Sequence, residues 1–283
     1  MHDPTSSLLN EAFELTHFTQ NFPYVFDGCS YSFKHEEEKK LLGFCAAKPY
    51  LFFDQQRLIR GLGIGSVAVK PEYQKKGIGT SLIHRVIEFS EKRRDDVLFL
   101  YAEKIGFYES FGFQLVEEEP LAIFKRPLLS NHKAVPLLKR FEVSAISEKD
   151  ASKIWRSLEK IKVQEKEEFL SFQEWKKILK TPQMTLFFSE TSLGIPVISF
   201  FGKADDFKEV HHGFYAERDE DLIEHLEAVS HLLQKDLMLF LPRSRLKMLP
   251  RMPSATFYIR SKQHEIIDLF INQKLWIRSF HSI

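Results

Sequence analysis

The sequence predicts an α+β fold: a mixed, mostly antiparallel central sheet flanked by helices, built in two tandem copies. Three observations predict it. Short apolar runs of strand type alternate with stretches whose apolar residues recur every three or four positions. A basic glycine loop joins one such strand to one such helix over residues 65–83. The order of strands and helices beyond a junction at residues 127–137, marked by Pro127, Ser130, Asn131 and Pro136, repeats the order before it.

Leu8, Leu9, Ala12, Phe13 and Leu15 have helical spacing, so Ser6 to Phe18 is a predicted helix with Thr5, Ser6 or Ser7 as its cap. Ser30 to Lys34 and Leu41 to Phe53 are strands about a charged tip, Glu36 to Lys40, that reads as a solvated hairpin. Asp54 to Arg57 is a polar turn, and Leu62 to Val69 is the next strand. Pro71 ends it, because proline has no N–H to give a sheet ladder. Ile78, Leu82, Ile83, Val86, Ile87 and Phe89 then line one face of a helix. It ends near Arg93 and Arg94, whose charge suits a helix C-terminus. Val97 to Tyr101 is again a strand.

The chemistry lies between Val69 and the helix. Gly77 and Gly79 let the backbone approach a ligand with no Cβ in the way. The N–H groups of Gln74, Lys75, Lys76, Gly77, Ile78, Gly79 and Thr80 sit at a helix N-terminus. Such groups lack intrahelical partners, and the helix dipole favours an anion there. Lys75 and Lys76 add positive charge. The stretch predicts a cradle for phosphate or pyrophosphate. It is not a P-loop, since no lysine follows Gly79, and it lacks the third glycine of a dinucleotide fingerprint.

In the second half, Arg140 to Ile146, Met184 to Ser189, Ile195 to Phe201, Val210 to Tyr215 and Leu237 to Leu241 read as strands. Glu148 to Lys162, Phe169 to Leu179 and Glu220 to Leu233 read as helices. Where the first half has its glycine loop, the second has Ala216-Glu217-Arg218-Asp219-Glu220-Asp221. Glycine is gone and the sign of charge is reversed, so one anion site per chain is expected.

Basic and acidic residues number 40 and 39, a balance that points to no nucleic-acid partner. Cys29 and Cys45 make no disulfide framework, and no Cys/His spacing suggests zinc. His211 and His212 are strand neighbours facing opposite sides, an unlikely pair of metal ligands. No apolar run approaches 18 residues and the N-terminus is polar, so a cytoplasmic protein with no membrane partner is expected. A homodimer is open.

The run from Val67 through Pro71 and Tyr73 to Gln74-Lys75-Lys76-Gly77-Ile78-Gly79 resembles motif A of the GCN5-related N-acetyltransferases, Q/R-x-x-G-x-G/A. Phe107-Tyr108-Glu109-Ser110-Phe111-Gly112-Phe113 is similar to that family's F-Y-E-x-x-G-F signature. The resemblance covers residues 20–128. It implies an acyl-CoA N-acyltransferase domain over residues 1–130, followed by a degenerate copy over residues 131–283. It implies acetyl-CoA as co-substrate and no metal. The pyrophosphate would rest on the N–H groups of Gln74 to Thr80, and the pantetheine arm would run along the backbone of Val67, Ala68 and Val69. An N–H near Val67 would polarise the thioester oxygen. Tyr108 would protonate the leaving thiolate.

The family's central-strand glutamate has no counterpart between Leu62 and Val69. Glu103 is the nearest candidate base, with Ser66 as a possible holder of a relaying water. The family's asparagine before the tyrosine motif is replaced by Tyr101-Ala102-Glu103-Lys104. The expected activity is acetyl transfer to a primary amine, of a small molecule, by direct attack in a ternary complex. The alternatives are a protein N-acetyltransferase and a non-catalytic acyl-CoA-binding or regulatory protein.

Overall fold

The computed structural model describes residues 3–22, 30–54, 57–102, 106–117, 121–127, 137–159, 172–203, 208–241, 245–252 and 256–271. Of these, residues up to Glu117 and from Thr256 onward form one compact unit, and residues 121–252 form a second. The division differs at both ends from one at residue 130. The elements below show why.

Helix α1 (Pro4–Ala12) starts two residues earlier than predicted. Asp3 caps it, its carboxylate accepting the N–H groups of Thr5 and Ser6 at 3.2 Å each. Pro4 suits the first position because no N–H is needed there. The predicted helix to Phe18 is broken: Glu14 and His17 are left-handed, and α2 (Phe18–Asn21) is separate. Among the described residues no strand precedes α1. β1 (Tyr31–Glu37) and β2 (Lys40–Asp54) form a hairpin whose tip, Glu38 and Lys39, has φ of 48° and 64°. β3 (Arg57–Val69), α3 (Ile78–Arg93) and β4 (Val97–Ala102) make a right-ordered strand–helix–strand unit with a parallel β3–β4 pair. β5 (Gln114–Glu117) follows.

The chain then leaves this unit. β6 (Leu121–Phe124), β7 (Lys139–Glu142), α4 (Glu148–Leu158), α5 (Phe172–Ile178), β8 (Thr185–Glu190) and β9 (Pro196–Phe201) belong to the second. So do β10 (Val210–Tyr215), α6 (Asp219–Leu233), β11 (Leu237–Phe240) and β12 (Arg251–Met252). β13 (Thr256–Arg260) and α7 (His264–Ile271) return to the first.

The first sheet has the order β1-β2-β3-β4-β13-β5, and the second has β12-β6-β11-β10-β9-β8-β7. Read in opposite directions they superpose as one layout, with β7 as an extra edge strand. The strands are reciprocally exchanged. β13 sits between β4 and β5, the place that β6 fills between β11 and β12. The first unit's sheet is therefore completed by chain from beyond the second unit in sequence, whereas β6, next after β5, joins the second unit's sheet. Pro120 and Pro253 stand beside the two crossings, but a proline marks a break and not which sheet the next strand joins.

In the first unit α3 lays Ile78, Leu82, Ile83, Val86 and Ile87 on Leu62, Ile64, Leu98 and Leu100 of the sheet. Fully buried Leu82 and Ile83 contribute roughly 2 kcal/mol each. Strand alternation puts Gly61, Gly63 and Phe99 on the other face. There a Cβ on Gly63 would lie 2.7 Å from the Tyr50 ring, so the missing side chain is what admits that ring. Phe52, Phe99, Phe257 and Phe270 pack edge to face or tilted beside it. No helix among the described residues is long and apolar enough to cross a membrane.

Candidate active site

The loop after β3 is built by short-range hydrogen bonds. Lys70 N–H closes the ladder onto Leu42 O at 2.9 Å. Pro71 to Tyr73 form one 3₁₀ turn, in which Tyr73 N–H bonds Lys70 O at 2.9 Å and Gln74 N–H bonds Pro71 O at 3.3 Å. Lys75 and Gly77 are left-handed, with φ of 62° and 84°. A Cβ on Gly77 would meet nothing within 4 Å, so this glycine serves the turn and leaves open space beside it. α3 then begins with no side-chain cap and no acidic residue in its first turn. Its first intrahelical bond is Ser81 N–H to Gly77 O at 2.9 Å. The N–H groups of Lys75, Lys76, Gly77, Ile78, Gly79 and Thr80 meet no acceptor among the described residues. Gln74 is different, since its N–H is spent on Pro71 and its side-chain amide donates to Val69 O at 3.4 Å. It braces the loop against the strand end.

Beside the loop, Lys76 Nζ lies 4.6 Å over the Tyr73 ring. An open cleft of about 320 Å³ is lined by Tyr73, Lys76, Gly77, Ile78 and Ser81, with His35 and Glu37 of β1 opposite. The Ile78 side chain is buried in the core, so only its backbone faces outward.

β3 carries a feature that the apolar pattern hid. Ala46 pairs with Gly65 and Phe44 with Ala68, so Ser66 and Val67 together oppose Cys45. Ser66 has a φ of 51°, which marks a β-bulge. On its other side β3 pairs in parallel with β4 from Gly61↔Val97 only to Ile64↔Leu100. Beyond that the two strands part. Lys70 N–H points to β2, so by alternation Ala68 also turns its main-chain groups to β2. Val67 and Val69 turn theirs into the opening. Of the three strand residues expected to line the cofactor, Ala68 therefore contributes no free backbone group.

Tyr108 precedes the 3₁₀ turn of Glu109 to Phe111 and is buried. Its ring lies 4.9 Å from Phe107, 6.1 Å from Phe113 and 5.9 Å from Tyr258, centroid to centroid. Phe107 in turn lies 3.6 Å from where a Gly79 Cβ would be, and Val69 3.8 Å, so loop, strand and tyrosine turn converge. Burial raises the Tyr108 hydroxyl well above its ordinary range, with Cys45 and Tyr258 adding to the effect. The hydroxyl is therefore protonated at neutral pH. Cys45, fully buried, is likewise pushed up by desolvation and stays a thiol, which removes it as a nucleophile. Glu103 and Cys29 lie outside the described residues.

Two further residues come from β13 and were missed by the sequence reading. Tyr258 donates its hydroxyl to Glu109 Oε1 at 3.0 Å, and the same oxygen accepts Gly106 N–H at 3.1 Å. Arg260 Nε donates to Phe111 O at 3.0 Å. The apolar run Phe257-Tyr258-Ile259 was a legible strand signal; its place beside the tyrosine turn was not.

The second unit keeps the frame but places acid at the helix end, where α6, like α3, has no side-chain cap. β10 has the same bulge: Gly213, with a φ of 59°, and Phe214 oppose Ser199. The parallel β10–β11 pair stops at His211↔Leu239. At the α6 N-terminus Asp219 accepts Leu246 N–H at 3.1 Å and Arg245 Nε at 2.5 Å. Buried Asp221 takes the Arg218 guanidinium at 2.9 and 2.6 Å. Among the described residues no group of His, Cys, Asp and Glu could hold a metal.

The two sheets with their flanking helices have the N-acyltransferase fold of the solved structures described below. Residues 30–115 match the family model of the acetyltransferase (GNAT) domain. Within the first unit, residues 30–115 thus match a GNAT domain, and the second sheet repeats the strand layout of the first. The chain is similar to a GCN5-related N-acetyltransferase from Anabaena variabilis, with a TM-score of 0.68, 12% identity, and coverage of 92% of this chain and 70% of that one. A probable N-acyltransferase from Enterococcus faecalis V583 has a TM-score of 0.67 at 13% identity, over 91% and 69% of the two chains. N-myristoyltransferase of Saccharomyces cerevisiae, with bound myristoyl-CoA, has a TM-score of 0.54 at 12% identity, over 91% and 75%. At these identities the likeness is one of fold. A search of curated proteins gave no match.

Proposed function

We propose that the first unit transfers an acetyl group from acetyl-CoA to a primary amine, of a small molecule, by direct attack in a ternary complex. The observation that carries this reading is the α3 N-terminus, where N–H groups of Lys75 to Thr80 have no acceptor beside an opening in the sheet. Acetyl-CoA would supply the activated thioester. The loop N–H groups, with Lys75 and Lys76, would bind its pyrophosphate. Val67 and Val69 would pair with the pantetheine arm, and the Val67 N–H would polarise the thioester oxygen. Tyr108 would give its proton to the thiolate as it leaves; burial that raises the tyrosine also raises the proton affinity of a thiolate in the same place. Tyr258 positions this turn through Glu109.

A non-catalytic acyl-CoA-binding protein is the second reading. What favours it is that β3 carries neither carboxylate nor histidine from Arg57 to Val69. Calorimetric titration of the full chain with acetyl-CoA, followed by turnover with an amine panel, separates the two. One site with turnover supports the transferase. One site without turnover supports the binder. No binding removes both, and two sites would mean that the α6 terminus is misread.

A further inference from the structure

The face of the first sheet away from α3 holds a cation that no anion among the described residues pairs with. Lys48, on β2, is only 5% exposed. Lysines so enclosed are almost always paired. Among the described residues, Lys48 makes no ion pair or hydrogen bond. What it meets is the face of the Tyr50 ring, 5.6 Å from Nζ to centroid. That is a weak partner for an enclosed ammonium. Nζ is not among the sealed polar atoms, so space remains in front of it.

Its place in the sheet says what that space is for. Lys48 pairs with Gly63 of β3, and Cys45, three residues away on β2, faces the Ser66–Val67 bulge. Three strand residues span roughly 10 Å. Alternation puts Lys48 on the same face as Tyr50, over the position where Gly63 has no side chain. A fixed positive charge therefore lies a short molecule's length from the opening where the thioester would sit. It would hold an anion and discourage protonation of a nearby amine, both useful for an acceptor that must attack as the free base.

We propose that Lys48 binds a carboxylate of the acceptor, so that the acceptors are amines with a carboxylate several carbons away. This rests on the acetyltransferase reading above. The test compares 6-aminohexanoate with hexylamine, which share the amine and chain and differ in the carboxylate. For the wild-type chain kcat/KM is expected to favour 6-aminohexanoate by about tenfold or more, the worth of one charge-assisted hydrogen bond. Lys48→Met keeps the length of the side chain and should abolish the preference, mainly through KM. Lys48→Arg should restore most of it. Acetyl-CoA affinity, measured on each variant by calorimetry, should not change, which shows that the variants fold. Equal rates, turnover of neither amine, or a preference that survives in Lys48→Met, with acetyl-CoA still bound, would overturn the proposal. Loss of acetyl-CoA binding in the wild type would instead remove the reading beneath it.

Discussion

The N-termini of α3 and α6 hold the same place in two copies of one layout and have opposite chemistry. Each follows a bulged strand whose left-handed residue, Ser66 or Gly213, shares a position opposite one residue of the next strand. Each strand parts from its parallel neighbour at an equivalent pair, Ile64↔Leu100 or His211↔Leu239. At α3 the helix end has no internal acceptor. The α6 end also has no side-chain cap, but its first turn carries Asp219, Glu220 and Asp221, with Asp219 on Leu246 N–H and Arg245, and Asp221 on Arg218. The bulge and the opening are thus properties of the fold, and the two helix ends differ in charge: acid in the first turn of α6 and none in that of α3.

The sharpest way to break the comparison is to make α3 resemble α6. Gly77→Glu places a carboxylate in the open space beside the uncapped end. A left-handed glutamate costs about 1–2 kcal/mol, so the chain should still fold. Acetyl-CoA binding should fall below detection in calorimetry. Retained binding would show that the loop is not the cradle.

The two units also differ in acid. His212 and His225 of the second unit are buried, and desolvation lowers both to about 3 from an ordinary 6.5. His225 is held neutral between Ser189 Oγ at 2.7 Å and Ser199 Oγ at 2.9 Å. Among the described residues the first unit buries no histidine. With the folded pKa depressed, the unfolded chain binds more protons between pH 6.5 and 3. Stability is complete above 6.5 and falls as pH drops through that window. At pH 5 the loss is about 2 kcal/mol per histidine. Calorimetric melting at pH 7 and pH 5 should show the second unit's transition moving down by far more than the first's. Equal shifts would contradict this, and His225→Gln should reduce the difference.

Tyr108→Phe should lower kcat by about 100-fold with acetyl-CoA affinity unchanged, as expected for loss of a general acid. Tyr258→Phe removes one hydrogen bond to Glu109 and should cost about tenfold or less in kcat, with a changed pH–rate profile in place of a changed affinity. A Tyr258 effect as large as that of Tyr108 would mean that the roles are reversed. The smallest effect on the first unit is expected from Asp219→Ala. It removes one first-turn carboxylate of α6, with its bonds to Leu246 N–H and Arg245, and should lower second-unit stability by about 2 kcal/mol. Acetyl-CoA affinity should be untouched. A second binding site appearing in that variant would show that carboxylates alone had closed the slot.

What the sequence determined by itself was local. Apolar spacing placed α3 and α6, Pro71 ended β3, and Gly77 and Gly79 with two lysines marked the helix end that lacks an internal partner. These follow from backbone geometry and near-neighbour charge, which a window of some ten residues contains. The bulge at Ser66 was invisible because it is a mismatch with β2, a strand 20 residues earlier, and not a property of Ser66. Gln74 and Ala68 sat inside the right motif, yet hydrogen bonding to Pro71 and the direction of the β2 ladder decide that their N–H groups face away from a ligand. Only tertiary structure could bring Tyr258 to Glu109 across 149 positions, or exchange β6 for β13. An apolar strand of five residues can complete either sheet equally well, and which one it completes is settled by the pairing of the whole chain.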